Sequence, residues 1–198
     1  QDIHELKEKL YNIQKKIKHV QTFETTKIAN ISMDIRENKH GMKLYLNEGE
    51  ITHRVIRACF AKNELYKSSL VNFFASILRA NDCLIDIGAY IGYLSLIGAT
   101  LVGCDGQVFA FEPEEKNYRY LHENIALNNL NNIKISSNAL GLETKTSKIF
   151  INLDNDAGHA LWNVGRCPEY SKSRTHCITR DVHLTSLDSL LQGVHVSN

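Results

Sequence analysis

Residues 82–130 read DCLIDIGAYIGYLSLIGATLVGCDGQVFAFEPEEKNYRYLHENIALNNL, and this stretch decides the fold. Cys83 to Ile87 is a short run, apolar but for Asp86, of the kind that forms a strand buried on both faces. Gly88 to Gly92 is a glycine-bearing turn, and Tyr93 to Val102 is an apolar helix that Gly103 can terminate. Gln107 to Phe111 is a second apolar strand. Residues 117–128 then place Tyr118, Leu121 and Ile125 on one helical face, an asparagine pair stops them, and Ile133 to Ile135 is a third strand. Strand, helix, strand, helix, strand with short links specifies a parallel sheet wound right-handedly. The class is α/β, with a Rossmann-like sheet carrying helices on both faces.

Outward from this centre the periodicity changes. Upstream, Ile31, Met33 and Ile35 alternate with polar residues, Asn38 to Gly41 offers turn chemistry, and Met42, Leu44 and Leu46 alternate again, which predicts a β-hairpin. Two helices are expected next, one carrying Ile51, Val55, Ile56, Cys59 and Phe60, the other Tyr66, Leu70, Phe73, Phe74, Ile77 and Leu78. At the start, Ile3, Leu6, Leu10, Ile13, Ile17 and Val20 follow an a/d pattern, predicting a helix over residues 2–20 with a narrow apolar seam. Fewer than three heptads is marginal alone, so the seam calls for the body of the domain or a second copy of the chain, a possible homodimer contact. Downstream, Ile149 to Asn152 and residues 175–184 look like strands, and a short helix spans Leu187 to Leu191. The expected organisation is an amphipathic helix (1–24), a hairpin and helical cover (25–80), and a Rossmann-like unit (81–198).

A chain of 198 residues supports one sizeable hydrophobic core rather than two. Hydrophobic residues at 43% and charged residues at 23% exclude disordered and low-complexity classes. The formal net charge of +1 provides no field to gather nucleic acid or an anionic membrane, so neither is expected as a partner. No apolar run approaches a bilayer span, and the first 20 residues are charged rather than signal-like, so the reading is cytoplasmic. The five cysteines are scattered without a CxxC pair, and the nine histidines do not fall at metal-ligand spacing, so no disulfide framework and no metal site is expected.

The chemistry gathers at the first turn, because ligands of open parallel sheets bind beyond the carboxyl ends of the strands. Gly88 lacks a Cβ, so a ligand can lie against the backbone, and Gly92 lets the helix start close to the strand. Glu112, 24 positions after Gly88 and closing the second strand, stands where one carboxylate can accept both hydroxyls of a ribose. A pyrophosphate turn needs G-x-G-x-x-G, and here Tyr90 occupies the middle glycine position, which disfavours a dinucleotide and an NAD-dependent oxidoreductase. Asp86 would repel phosphate and attract a cationic amino group. S-adenosylmethionine, with a sulfonium, an ammonium, a ribose and no phosphate, fits that charge pattern. His159, in the polar segment Asn155 to His159, is the candidate general base for an alcohol acceptor; the alternative is an exposed loop histidine.

The run 82–130, its continuation NIKISSNALG and, more loosely, LTSLDSLL together resemble the FkbM-type methyltransferases, a branch of the class I S-adenosylmethionine-dependent enzymes. The resemblance covers residues 60 to 192 and implies methylation of a hydroxyl oxygen on a sugar or secondary metabolite. It implies that Gly88, Ala89, Tyr90 and Gly92 form the methionine-side wall with Asp86 beneath, that Glu112 accepts the ribose hydroxyls, and that Asn138 and Ala139 lie at the adenine. Tyr66 is implied to close over the methionine carboxylate, although Lys67 replaces the acid often seen beside it. The family continues after the SLDSLL-like helix with a fourth apolar strand and an acidic, glycine-containing turn near the acceptor. That strand is not in these residues, and the chain is expected to be part of a longer gene product. A scaffold that binds the cofactor without turnover is the alternative from another class.

Overall fold

The structure, a computed structural model, describes residues 26–35, 38–153, 155–162 and 177–191. The seam over residues 2–20, and the homodimer contact expected of it, lie outside them. The hairpin forms from β1 (Thr26–Ile35) and β2 (Asn38–Asn47), antiparallel with Ile31 opposite Met42 and Met33 opposite His40. The period-2 pattern does what it predicts, burying Ile31, Met33, Met42, Leu44 and Leu46 while Ile28, Asn30 and Ser32 face out. One detail is corrected. Pairing runs to Ile35 opposite Asn38, so Asn38 to Gly41 belongs to β2 and not to the turn, because this register keeps the apolar residues of both strands on one face.

Helices α1 (Ile51–Ala61) and α2 (Ser68–Ile77) follow. The second starts two residues later than the periodicity predicts, since Lys67 takes a left-handed φ of +51° at its N-cap and leaves Tyr66 in the preceding loop. Ile56 and Val71 join the hairpin's apolar face in one core with α3 (Tyr93–Val102). Hairpin, cover and sheet therefore share a core.

The centre of the molecule is the parallel sheet β3 (Cys83–Ile87), β4 (Gln107–Phe111) and β5 (Ile133–Ser136), in that order, joined by α3 and α4 (Glu115–Leu127). This is the α/β, Rossmann-like arrangement that the sequence predicts. Most of α3 is buried, as its unbroken apolar run requires. Leu121 of α4 packs on Ala110 and Ala89, and a Cβ on Gly92 would lie 2.7 Å from the Leu121 Cδ1, which explains the glycine where the turn passes beneath α4.

Two asparagines, Asn124 of α4 and its C-cap Asn128, dock the hairpin. Asn124, fully buried, accepts the Tyr45 amide at 2.7 Å and donates to the Ile91 carbonyl at 2.8 Å. One turn on, Asn128 accepts the Lys43 amide at 2.8 Å and donates to the Lys43 carbonyl at 2.7 Å. After β5 the chain enters a second sheet, in which β6 (Ala139–Leu140) runs parallel to β8 (Cys177–Thr185) and β7 (Lys145–Asn152) pairs antiparallel with β8. Helix α5 (Leu187–Leu191) closes the described chain. No helix among the described residues is long and apolar enough to cross a membrane.

Candidate functional site

The turn after β3 is shaped by three left-handed residues, Gly88 (φ +79°), Tyr90 (φ +55°) and Gly92 (φ +87°). Its first amides, those of Gly88 and Ala89, both donate to the Phe111 carbonyl, at 2.8 and 2.9 Å, which pulls the turn over the carboxyl end of β4. A Cβ at Gly88 would meet nothing within 4 Å, so the backbone there faces open space. Tyr90, by contrast, holds a conformation that costs an ordinary residue on the order of 1 kcal/mol or more.

Glu112 stands directly beside this turn. Its amide donates to the Ser136 carbonyl at 3.0 Å, fixing the residue between β4 and β5. One carboxylate oxygen, Oε2, accepts the Tyr90 amide at 2.8 Å, and the other, Oε1, accepts the Glu114 amide at 2.9 Å. Burial pushes the carboxyl up to about 7; the two amides oppose the shift, while the neighbouring Glu114 and Asp86 carboxylates add to it. Each oxygen still has a lone pair beyond its amide bond, so the group can accept two further donors.

The carboxylate opens on a cleft of about 230 Å³. Of the expected site residues, Gly88, Tyr90, Glu112, Asn138, Ala139 and His159 line it, with Phe111, Pro113, Asn117 and Leu161 among their neighbours. Asn138 and Ala139 arrive because the chain crosses from β5 to β6 at this point. No lysine or arginine is among the described lining residues.

Four expected residues lie elsewhere. The Ala89 side chain is buried in the α4 core and Gly92 lies under Leu121, so both shape the turn from behind. Asp86 accepts the Ser95 hydroxyl at 2.6 Å; burial raises its carboxyl above the usual range, against that hydrogen bond and the Lys67 charge. Tyr66 packs edge-on against Tyr93, ring centres 5.6 Å apart, with the Lys67 ammonium over its ring.

His159, the expected general base, lines the cleft, and its Nδ1 accepts the Asn152 amide at 3.1 Å. In the neutral ring that bond puts the hydrogen on Nε2.

Sequence reasoning passed over Asp156, which is buried behind the cleft. Its carboxylate accepts the Tyr90 hydroxyl and the Thr52 amide, the latter at 3.0 Å, and its carbonyl accepts the Asn117 side-chain amide at 3.1 Å. His53 Nε2 stands 3.9 Å away. Burial lowers the His53 ring to about 4, against the pull of Asp156 and Glu50, so the imidazole is neutral and accepts the Asn47 amide through Nδ1 at 2.8 Å. No local pattern could reveal this hub, since its partners Tyr90 and Thr52 lie 66 and 104 residues upstream.

No protein-family model matches the chain, and no curated protein matches it. Among solved structures, TYW2 of P. horikoshii, crystallised with MeSAdo, is 20% identical over 57% of this chain and 35% of its own, with a TM-score of 0.39. M. jannaschii TYW2, crystallised with AdoMet, is 23% identical over 54% of this chain and 42% of its own, with a TM-score of 0.37. A SAM-dependent O-methyltransferase from Thermotoga maritima is 21% identical over 54% of this chain and 39% of its own, with a TM-score of 0.35. The match thus spans less than half the length of each. At TM-scores of this size the likeness adds nothing to the strand order described above, on which the fold assignment rests.

Proposed function

We propose that the cleft binds the adenosyl part of S-adenosylmethionine and that the protein is a methyltransferase of the FkbM type, acting on a hydroxyl oxygen of a small-molecule or glycan acceptor. The observation that carries the reading is the Glu112 carboxylate, buried at the end of β4, with both oxygens oriented by backbone amides and able to accept a vicinal diol. Charge favours this nucleoside over a dinucleotide. The described lining offers Glu112 and no cation, and Asp86 adds a carboxyl group beyond the turn, so a pyrophosphate would meet repulsion without a compensating partner.

The residues present fit the cofactor. Glu112 would hold the ribose, the open backbone at Gly88 leaves room for the chain beyond it, and Asn138 and Ala139 would flank the base. Asp86, held by Ser95, would attract an ammonium, and Tyr66 would cover that end. When bound, the cofactor supplies a methyl group on a cationic sulfur for in-line displacement. The chain's work is alignment and exclusion of water, with His159 as the candidate general base, which would release the Asn152 amide from Nδ1 to take the proton. Residues 25–80 serve as the cover of the cofactor-binding unit.

Calorimetric titration with S-adenosylhomocysteine and with NAD tests the reading. The first should bind and the second should not, and Glu112→Ala should weaken the first by about 1.5–3 kcal/mol, the scale of hydrogen bonds to a charged group. Equal binding of NAD, or an affinity indifferent to Glu112, would overturn it. Binding without methyl transfer to any hydroxyl acceptor would instead select the scaffold alternative.

A further inference from the structure

We propose that Asp156 is a positioning residue for the cleft: by accepting the Tyr90 hydroxyl and the Thr52 amide it fastens the segment 155–162 to the glycine turn and to α1, so that the wall this segment supplies stands before any ligand enters. The segment supplies Ala157, His159, Ala160 and Leu161 to the cleft. Several contacts hold it, among them the Asn152 amide on His159 Nδ1 at 3.1 Å and the Thr52 hydroxyl on Asn155 Oδ1 at 3.4 Å. At one end Ala160 exchanges backbone hydrogen bonds with Phe150 of β7, at 2.7 and 3.2 Å. In its middle the Gly158 amide closes a local turn on the Asn155 carbonyl at 3.1 Å. The contact among these that reaches the glycine turn is that of the Asp156 carboxylate with the Tyr90 hydroxyl; Asp156 also meets Thr52 of α1 and Asn117 of α4.

The carboxylate suits the task because it remains charged although buried. Burial pushes the group up, and the Thr52 amide, the Tyr90 hydroxyl and His53 outweigh that push, holding it below the usual carboxylate range. The chain of contacts continues to the proposed ribose acceptor. Asp156 holds the Tyr90 ring, and the Tyr90 amide donates to Glu112 Oε2 at 2.8 Å. The same bond that fastens the wall therefore also fixes the residue that orients Glu112. A phenylalanine at position 90 would fill the same space and lose the link.

The consequence for nucleoside binding rests on the function proposed above, and the fastening itself does not. Hydrogen exchange on the protein alone reads the fastening. In Tyr90→Phe and in Asp156→Asn, amides of residues 157–160 should exchange at least about tenfold faster, with α3 and β4 unchanged. Unchanged exchange in both variants would overturn the proposal. Titration with 5′-methylthioadenosine then reads the consequence. Each variant should bind about ten- to a hundredfold more weakly, and the double variant no more weakly than the worse single one, as expected of two halves of one bond. A bond with a merely structural role would lower the urea midpoint and leave the dissociation constant of the folded protein in place, which would also overturn it. If the wild-type protein binds no nucleoside while the variants exchange faster, the fastening stands and the nucleoside reading falls.

Discussion

Raising the pH from 6 to 8 should strengthen nucleoside binding, because the proposed ribose acceptor titrates inside that window. Burial has lifted the Glu112 carboxyl from 4.5 to about 7, with the Glu114 and Asp86 carboxylates adding to the rise and the Tyr90 and Glu114 amides opposing it. A protonated carboxyl keeps a hydrogen of its own and can accept less, so the ribose diol selects the ionised form. With a midpoint near 7, about a tenth of the free protein is ionised at pH 6 and about nine tenths at pH 8. The dissociation constant should therefore fall about tenfold across the window, equivalent to about 1.4 kcal/mol. The suitable ligand is 5′-methylthioadenosine, which lacks the amino-acid tail and contributes no titration of its own between these values. Calorimetry in two buffers of different ionisation heat adds a second readout, since binding at pH 7 should release about half a proton. A dissociation constant that stays level from pH 6 to 8 refutes the reasoning. So does a pH slope that survives in Glu112→Gln, whose side chain accepts through one oxygen and does not titrate.

The scaffold makes its own predictions. Asn124→Leu strands the Tyr45 amide and the Ile91 carbonyl in the core and should cost about 2–4 kcal/mol in urea unfolding; a loss below about 1 kcal/mol would show that water or a neighbour replaces the amide. His53 is buried neutral with its ring lowered from 6.5 to about 4, so the unfolded chain takes up the proton first on acidification. Its contribution is thus complete above pH 6.5 and is lost as the pH falls through 4. Between pH 7 and pH 5 the loss amounts to about 2 kcal/mol, and His53→Gln should flatten the stability profile by that amount; parallel profiles for wild type and variant would refute the assignment.

The central strands and helices were legible because each is defined by contacts close in sequence and by a single periodicity. Tyr93–Val102 is apolar all round and Cys83–Ile87 nearly so, and both elements form where the pattern puts them. Alternation likewise placed the buried face of the hairpin, yet it misassigned Asn38 to Gly41, since turn-forming residues specify a turn only when the strand register leaves them unpaired. Lys67 delays the start of α2 for a related reason, because a left-handed φ at a lysine has no sequence signature. The cleft was partly legible. Gly88 and Glu112 are recognisable by their spacing just after consecutive strands, whereas the hydrogen bond that His159 Nδ1 accepts from Asn152 has no signature in the sequence. Asp156 was illegible, because its meaning lies in partners brought together only by the completed fold.

Tyr90 draws these strands of argument together. At φ +55° it holds a conformation that glycine would adopt freely, so its persistence calls for compensation from the surroundings. That compensation comes from the cover, from the segment 155–162 and from Glu112 at the end of β4. The His53 ring of α1 meets the Tyr90 ring edge-on at 5.7 Å, and Asp156, itself held by the Thr52 amide of the same helix, accepts the phenol. Burial and the adjacent Asp156 charge raise the phenol well above its ordinary range, so it remains a hydrogen-bond donor at every physiological pH. Helix α1 is thereby part of the cleft's construction. The Tyr90 ring is one through which the cover grips the turn, and removing the cover would release the turn as well as expose the core.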